Sequence, residues 1–273
     1  MTLRLTGPLL LIGAGKMGGA LLEGWLKQGL DPTMVFVQDV VLSEPMRAFA
    51  RDHGIVANDA PVLPAPPAVI VIAVKPDVTE SLLQDVEPML GEGTVILSIA
   101  AGRTLEGLSR DLPGTVAVVR AMPNTPASVR RGVTVCIANA NVTAGQKREC
   151  DALLGAVGEV VWVEDEALLD PVTAVSGSGP AYVFLLAECL EAAGIEAGLP
   201  HDLAKQLAQS TVAGAGELLG RSDLEPAELR KNVTSPKGTT AAALEVLMTD
   251  DALKNLMRRA VAAAAKRSSE LSS

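Results

Sequence analysis

The chain has 273 residues, 48% of them hydrophobic and 2% aromatic, and a formal net charge of −9. That is enough apolar sequence for one large or two modest cores, while an acidic chain without a Lys/Arg run has no electrostatic footprint for nucleic acid. No stretch of about eighteen apolar residues is free of charges and breakers, so no segment is expected to span a membrane.

The N-terminus "MTLRLTGPLLLIGAGKMGG" carries an apolar run that a glycine-rich turn ends at once. That is the pattern of a buried strand, not of a secretory leader. "PLLLIG" is the strand, and "GGALLEGWLKQG" follows with helical spacing. "MVFVQD", "AVIVIAVKP", "TVILSIA" and "TVAVVRAMPN" are further strand-like runs, rich in Val and Ile. Continuous apolar runs of this kind fit strands buried on both faces, as in a parallel sheet. Their interleaving with helical segments predicts right-handed βαβ units. "VTVCIAN" and "VVWVE" add two strands, with "TAGQKRECDALLGAVG" as a helix between them.

Strand signals stop near Glu164, and the chain is helical from there. "GPAYVFLLAECLEAAGIEAGLP" opens with a proline that suits a first helical turn and stops near Gly194 or Gly198. "HDLAKQLAQSTVAGAGELLG", "PAELRKNV", "GTTAAALEVLMT" and "DALKNLMRRAVAAAAKRSSEL" are the remaining helices. The change of character predicts two domains, 1–165 and 166–273. The first long helix is apolar around most of its circumference and must be covered on all sides. A second copy of the chain is the expected cover; the other is the centre of a monomeric bundle.

Gly13, Gly15 and Gly18 form G-x-G-x-x-G between the first strand and the first helix. In that context the glycines allow a tight turn, close approach of a pyrophosphate, and close packing of helix on strand. The helix N-terminus adds free N–H groups and a positive dipole end for the phosphates. The expected fold is therefore α/β, a Rossmann-type doubly wound sheet, followed by an all-helical domain. Asp39 ends the second strand, where an acid accepts hydrogen bonds from the adenosine ribose and repels a 2′-phosphate. This leans toward NADH, the other reading of Asp39 being a solvated acid at a strand end; Arg47 and Arg51, on the helix that follows, are the cations within reach of a 2′-phosphate.

Ligands of open α/β sheets lie beyond the carboxyl ends of the strands. Ala73, Val74, Lys75 and Pro76 end the third strand, Ala100 and Ala101 follow the fourth, and "RAMPNTPASV" with Asn124 ends the fifth. These are cofactor-contact candidates; Lys75 is either a catalytic acid or electrostatic contact or else a surface lysine, and for Asn124 a rigid-turn role stands beside the cofactor reading. "VSGSGPAYVF", with Ser176 and Ser178, is either a contact point at the site or an ordinary helix cap. "NVTSPKGTT", Asn232 to Thr240, gathers hydroxyls, a proline, a glycine and one lysine at the start of a helix. Cys136, Cys150 and Cys189 have no metal-like spacing and read as reduced thiols of a cytoplasmic protein. His53 and His201 are too few for a histidine-based metal site or histidine catalysis, and no metal is expected.

In order along the chain, "IGAGKMGGA", "AVKP", "SIAAG", "AMPNTP", "SGSGPAY" and "SPKGTT" resemble the pyrroline-5-carboxylate reductase family. The resemblance implies reduction of the cyclic imine 1-pyrroline-5-carboxylate to L-proline with NADPH or NADH. It implies a helical domain that dimerises, with dimers often assembling further. It also implies cofactor contacts at Ile12, Gly13, Gly15, Lys16, Met17, Gly18, Asp39, Asn58, Ala73, Val74, Lys75, Pro76, Ala100, Ala101 and Asn124. Substrate contacts fall on Ser176, Ser235, Lys237, Gly238, Thr239 and Thr240, with Thr240 beside the imine nitrogen as the catalytic position.

Lys237 departs from the family, which usually has glycine there. If the position needs positive φ, lysine costs about 1 kcal/mol or more; if not, its ammonium either attracts the anionic substrate or points to solvent. Two other readings share the dinucleotide motif. A β-hydroxyacid reductase would need Lys205 or Lys231 as its catalytic lysine, and a non-catalytic dinucleotide-sensing dimer would have no use for the donor loop.

Overall fold

The computed structural model describes residues 3–75 and 78–272. They divide into two compact units: one of residues up to Gly177 together with the C-terminal segment from Ala265, the other Ser178–Ala264.

The first unit is built on one eight-stranded sheet of order β3-β2-β1-β4-β5-β6-β7-β8. Its strands are β1 Leu9–Ile12, β2 Val35–Gln38, β3 Val56–Asn58, β4 Val69–Ile72, β5 Val95–Ser98, β6 Ala117–Met122, β7 Gly132–Ala138 and β8 Gly158–Trp162. Helices α1 (Lys16–Lys27), α2 (Glu44–Asp52), α3 (Thr79–Val86), α4 (Leu105–Ser109) and α5 (Ala144–Gly155) connect them, and α6 (Leu169–Val172) follows the sheet. Every residue of β1, β4 and β5 is buried. Their side chains alternate between two cores: Leu9, Leu11, Val69 and Val71 join Trp25, while Leu10, Ile12, Ile70 and Ile72 join Leu83 and Leu108. Burial on both faces is why these runs are apolar throughout instead of alternating.

The expected sheet needs two amendments. Strand β3 has only three residues, exposed or half-buried, and so has no apolar run to mark it. Strand β7 pairs antiparallel to β6, because the connection 123–131 is too short for the crossover helix that parallel pairing requires. A 3₁₀ turn over Thr125–Val129 and Arg130 at φ 57° reverse the chain there.

The second unit contains α7 (Gly179–Glu196), α8 (His201–Arg221), α9 (Pro226–Asn232), α10 (Thr239–Met248) and most of α11 (Ala252–Ser272). Pro180 stands in the first turn of α7, and Gly198, at φ 99°, follows its end. Ser178 occupies the cap position without a side-chain cap bond, so the ordinary-cap reading of that serine fails. In this unit only Ala204 and Ala208 are buried. Helix α7 has no buried residue, and its Phe184 is 62% exposed. A single chain thus leaves this apolar helix uncovered, which excludes the centre of a monomeric bundle. No helix among the described residues is long and apolar enough to cross a membrane.

Candidate active site

The parallel register brings the candidate cofactor residues to one edge of the sheet. Asn58 pairs with Gln38, Gln38 with Ile12, Ile12 with Ile72, and Ile72 with Ser98. The segments that follow these last residues carry Asp39, Gly13, Ala73 and Ala100, and they leave the sheet on the same side. This edge lies at the C-terminal ends of strands that fan out in opposite directions from β1 and β4, the switch point at which open α/β sheets bind ligands.

The glycines of the first turn have distinct tasks. Gly13 sits at φ 92°, and a Cβ there would lie 2.8 Å from the Ala73 carbonyl oxygen and 2.9 Å from Val74 Cγ1. A Cβ on Gly18 would collide with the Gly13 carbonyl oxygen. The fold itself therefore needs both. Gly15 has ordinary negative φ, and a Cβ there would meet nothing within 4 Å. Its missing side chain serves open space at the start of α1, where no side chain caps the helix and no acid stands in the first turn. The N–H groups of Lys16, Met17 and Gly18 begin α1 and have no partner within the helix. A pyrophosphate fits this cradle.

Asp39 is engaged by the chain itself. One carboxylate oxygen accepts the Ala14 N–H at 2.8 Å and the other accepts the Val41 N–H at 2.9 Å. Its own N–H donates to the Asn58 carbonyl at 3.0 Å, and the Asn58 side chain accepts from Ala60 at 2.9 Å. Beside it, Gln38 Oε1 is buried without a hydrogen-bond partner among the described residues. A buried acceptor left bare is costly, and a donor on a bound adenosine would satisfy it. Dinucleotide and site are thus chemically matched.

Other candidates fall as follows. The Lys75 side chain is exposed and its carbonyl caps the next helix, accepting from Val78 N–H at 3.2 Å and Thr79 Oγ1 at 3.3 Å. Pro76 lies outside the described residues. Ala100 is buried and donates to Ser98 Oγ at 3.3 Å, whereas Ala101 is exposed. Asn124 holds the protein together: its Nδ2 donates to the Ser176 carbonyl at 3.2 Å and its Oδ1 accepts the Val133 N–H at 3.0 Å. Ser176 sits in a π-helical turn, Thr173–Gly177, and its hydroxyl donates to the Val172 carbonyl at 3.0 Å.

In the second unit, Ser235 to Gly238 make a β-turn, closed by Gly238 N–H donating to the Ser235 carbonyl at 3.1 Å. Pro236 precedes Lys237, and Lys237 adopts φ 59°. Proline followed by positive φ is the type II pattern, which favours glycine at the second place. The position therefore does need positive φ, and lysine keeps the turn at a cost in strain. Lys237 is exposed and has no ion-pair partner among the described residues. A Cβ on Gly238 would collide with Ser235 Oγ. Gly238 caps α10 without a side-chain bond, leaving the first N–H groups of that helix to other acceptors. Among the described residues the hydroxyls of Ser235, Thr239 and Thr240 have no hydrogen bond within the chain.

Sequence reading missed Arg120 and Glu166. Arg120 is buried on β6 and meets Glu166 Oε1 at 2.7 Å, and the same oxygen accepts the Leu105 N–H at 2.7 Å. An arginine inside the apolar run "AVVRAM" was the signal for a buried acid, but nothing local names a partner so far along the chain. Among the described residues no group of acids, histidines and cysteines is arranged to hold a metal ion. Cys136 and Cys150 are buried free thiols, and burial first, then the acids around it, pushes the Cys150 thiol up to about 12.

A glycine turn set at the switch point of this sheet, with a helical unit following along the chain, marks an NAD(P)-dependent oxidoreductase. Residues 166–271 match the family model for pyrroline-5-carboxylate reductase dimerisation, and residues 9–102 match that of the coenzyme F420-dependent NADP oxidoreductases. A pyrroline-5-carboxylate reductase of Pseudomonas aeruginosa is 40% identical over 269 residues, 97% of each chain. The structure of such a reductase from Coxiella burnetii superposes with a TM-score of 0.91 at 34% identity, covering 98% of this chain and 99% of that one. A Plasmodium falciparum pyrroline carboxylate reductase with NADP bound gives 0.81 at 28% identity over the full length of both. The chain belongs to the pyrroline-5-carboxylate reductase family.

Proposed function

We propose that the chain reduces 1-pyrroline-5-carboxylate to L-proline with NADPH or NADH, the last step of proline synthesis, as a cytoplasmic homodimer that can assemble further. Residues 1–165 bind the dinucleotide, and residues 166–273 dimerise and bind the substrate. The observation that carries the substrate reading is the Ser235–Thr240 loop. It offers a tight turn, an uncapped helix start and three hydroxyls with no partner of their own among the described residues. A carboxylate is the natural acceptor for such a set of donors.

When bound, the reduced dinucleotide supplies the hydride to the imine carbon. The chain's residues then have to bind and orient. Ser235, Gly238 and Thr239 hold the carboxylate, Lys237 adds positive charge beside it, and Thr240 orients the ring nitrogen. Ser176 is a further substrate contact, in a segment that Asn124 positions. Gly13, Gly15, Lys16, Met17 and Gly18 carry the pyrophosphate. A cyclic imine is basic and binds already protonated, so hydride attack leaves a neutral amine. No strong acid is needed at that nitrogen, in contrast to reduction of a ketone. Positioning in a polar setting suffices. The absence of histidine from the donor loop is consistent with this chemistry.

The experiment is the loss of nicotinamide absorbance with pyrroline-5-carboxylate, followed by detection of L-proline. Dinucleotide binding without turnover would overturn the reading in favour of a sensor.

A further inference from the structure

We propose that this chain is built to take NADH in preference to NADPH, and that the segment Gln38–Val41 is the discriminating element. The inference rests on the dinucleotide-binding reading and is independent of the imine substrate.

Four observations carry it. First, the Asp39 carboxylate is pinned by the Ala14 and Val41 N–H groups, at 2.8 and 2.9 Å. Those two bonds hold the carboxylate in place at the end of β2, so a second anion would have to sit beside it. Second, Val40 and Val41 are 85% and 82% exposed and bring no cation to the turn where a 2′-phosphate would need one. Third, the arginines of α2 do not make up for this. Arg47 stands 3.7 Å from Glu44 and donates to the Leu42 carbonyl at 3.4 Å, so an acid already offsets its charge. Arg51 lies in the last turn of α2, about 10 Å along the axis from its start. Because β3 runs parallel to β2, that helix has carried the chain toward the opposite edge of the sheet by Arg51. Fourth, the unpartnered buried atom at this edge, Gln38 Oε1, is an acceptor. It calls for a hydroxyl or amine hydrogen, which adenosine with a free ribose supplies and a phosphate ester at the 2′ oxygen partly removes. A 2′-phosphate would meet a fixed carboxylate, a bare acceptor and two valines.

The test is a fluorescence titration of the intact protein with NADH and with NADPH, without substrate, at low and moderate ionic strength. NADH is expected to bind at least about tenfold more tightly, with the gap shrinking as salt screens the repulsion. Val40→Arg leaves Asp39 and its two bonds in place. It is expected to narrow the gap about fivefold, mainly by tightening NADPH. Gln38→Leu removes the acceptor and is expected to weaken NADH several-fold. Wild-type protein that binds NADPH as tightly as NADH, or a Val40→Arg variant with an unchanged ratio, overturns the assignment. Unchanged NADH affinity in Gln38→Leu removes Gln38 from it. Preference for NADPH in a protein that still turns over the imine sinks this inference alone, whereas failure to bind either dinucleotide sinks the functional reading with it.

Discussion

Asp39 Oδ2 lies 2.8 Å from the Ala14 nitrogen, so the end of the second strand holds the glycine turn that follows the first. A part-buried bond to a carboxylate is worth about 1.5–3 kcal/mol. Asp39→Ala should lower unfolding stability in urea by about that amount. It should also weaken NADH more than NADPH, because the loosened turn affects both while the repulsion of a 2′-phosphate is lost. A variant of wild-type stability would show that the bond does not support the turn.

Gly15 and Gly18 should part company when each is changed to alanine. A Cβ at Gly15 meets nothing within 4 Å, so Gly15→Ala should unfold within about 0.5 kcal/mol of wild type. Its dinucleotide affinity should fall about tenfold or more, since the methyl stands where the pyrophosphate approaches. Gly18→Ala drives a methyl into the Gly13 carbonyl and should cost about 2–3 kcal/mol. Denaturant melts with and without dinucleotide separate the two effects.

Lys237→Gly should stabilise the protein. Left-handed backbone costs an L-residue about 1–2 kcal/mol, and glycine's extra unfolded-state freedom returns part of that, leaving a gain of about 0.5–1 kcal/mol. The KM for the anionic substrate should rise a few-fold at low ionic strength, and the difference should fade with added salt. An equal KM at all salt concentrations would place the ammonium in solvent.

Thr240→Val keeps shape and removes the hydroxyl. Turnover should fall at least about tenfold with dinucleotide affinity unchanged, because only the orientation of the ring nitrogen is lost. Full turnover would remove Thr240 from the mechanism.

Phe184 is 62% exposed on a helix with no buried residue, so Phe184→Asp should break the homo-oligomer. A unit with only two buried alanines cannot stand alone, and loss of the assembly should melt its helices. Sedimentation and far-ultraviolet circular dichroism report both. The wild-type unfolding midpoint should rise with protein concentration.

Sequence by itself determined the sheet's central strands, the long helices and the ligand edge. Runs such as Leu9–Ile12 and Val69–Ile72 admit few other placements than a doubly covered sheet, and G-x-G-x-x-G after the first of them marks the turn. The antiparallel turn into β7, the exposed three-residue β3 and the Arg120–Glu166 pair were decided by tertiary structure, since each depends on a partner distant in sequence or on chain length between elements. The same holds for the site. Composition brought hydroxyls and a lysine into one loop, but the sign of φ at Lys237 is a backbone property that only the folded turn reveals. Asp39 was legible as an acid at a strand end. That its two oxygens face Ala14 and Val41, and so stay fixed, follows from the folded turn and from parallel strands placing residues distant along the chain at one edge.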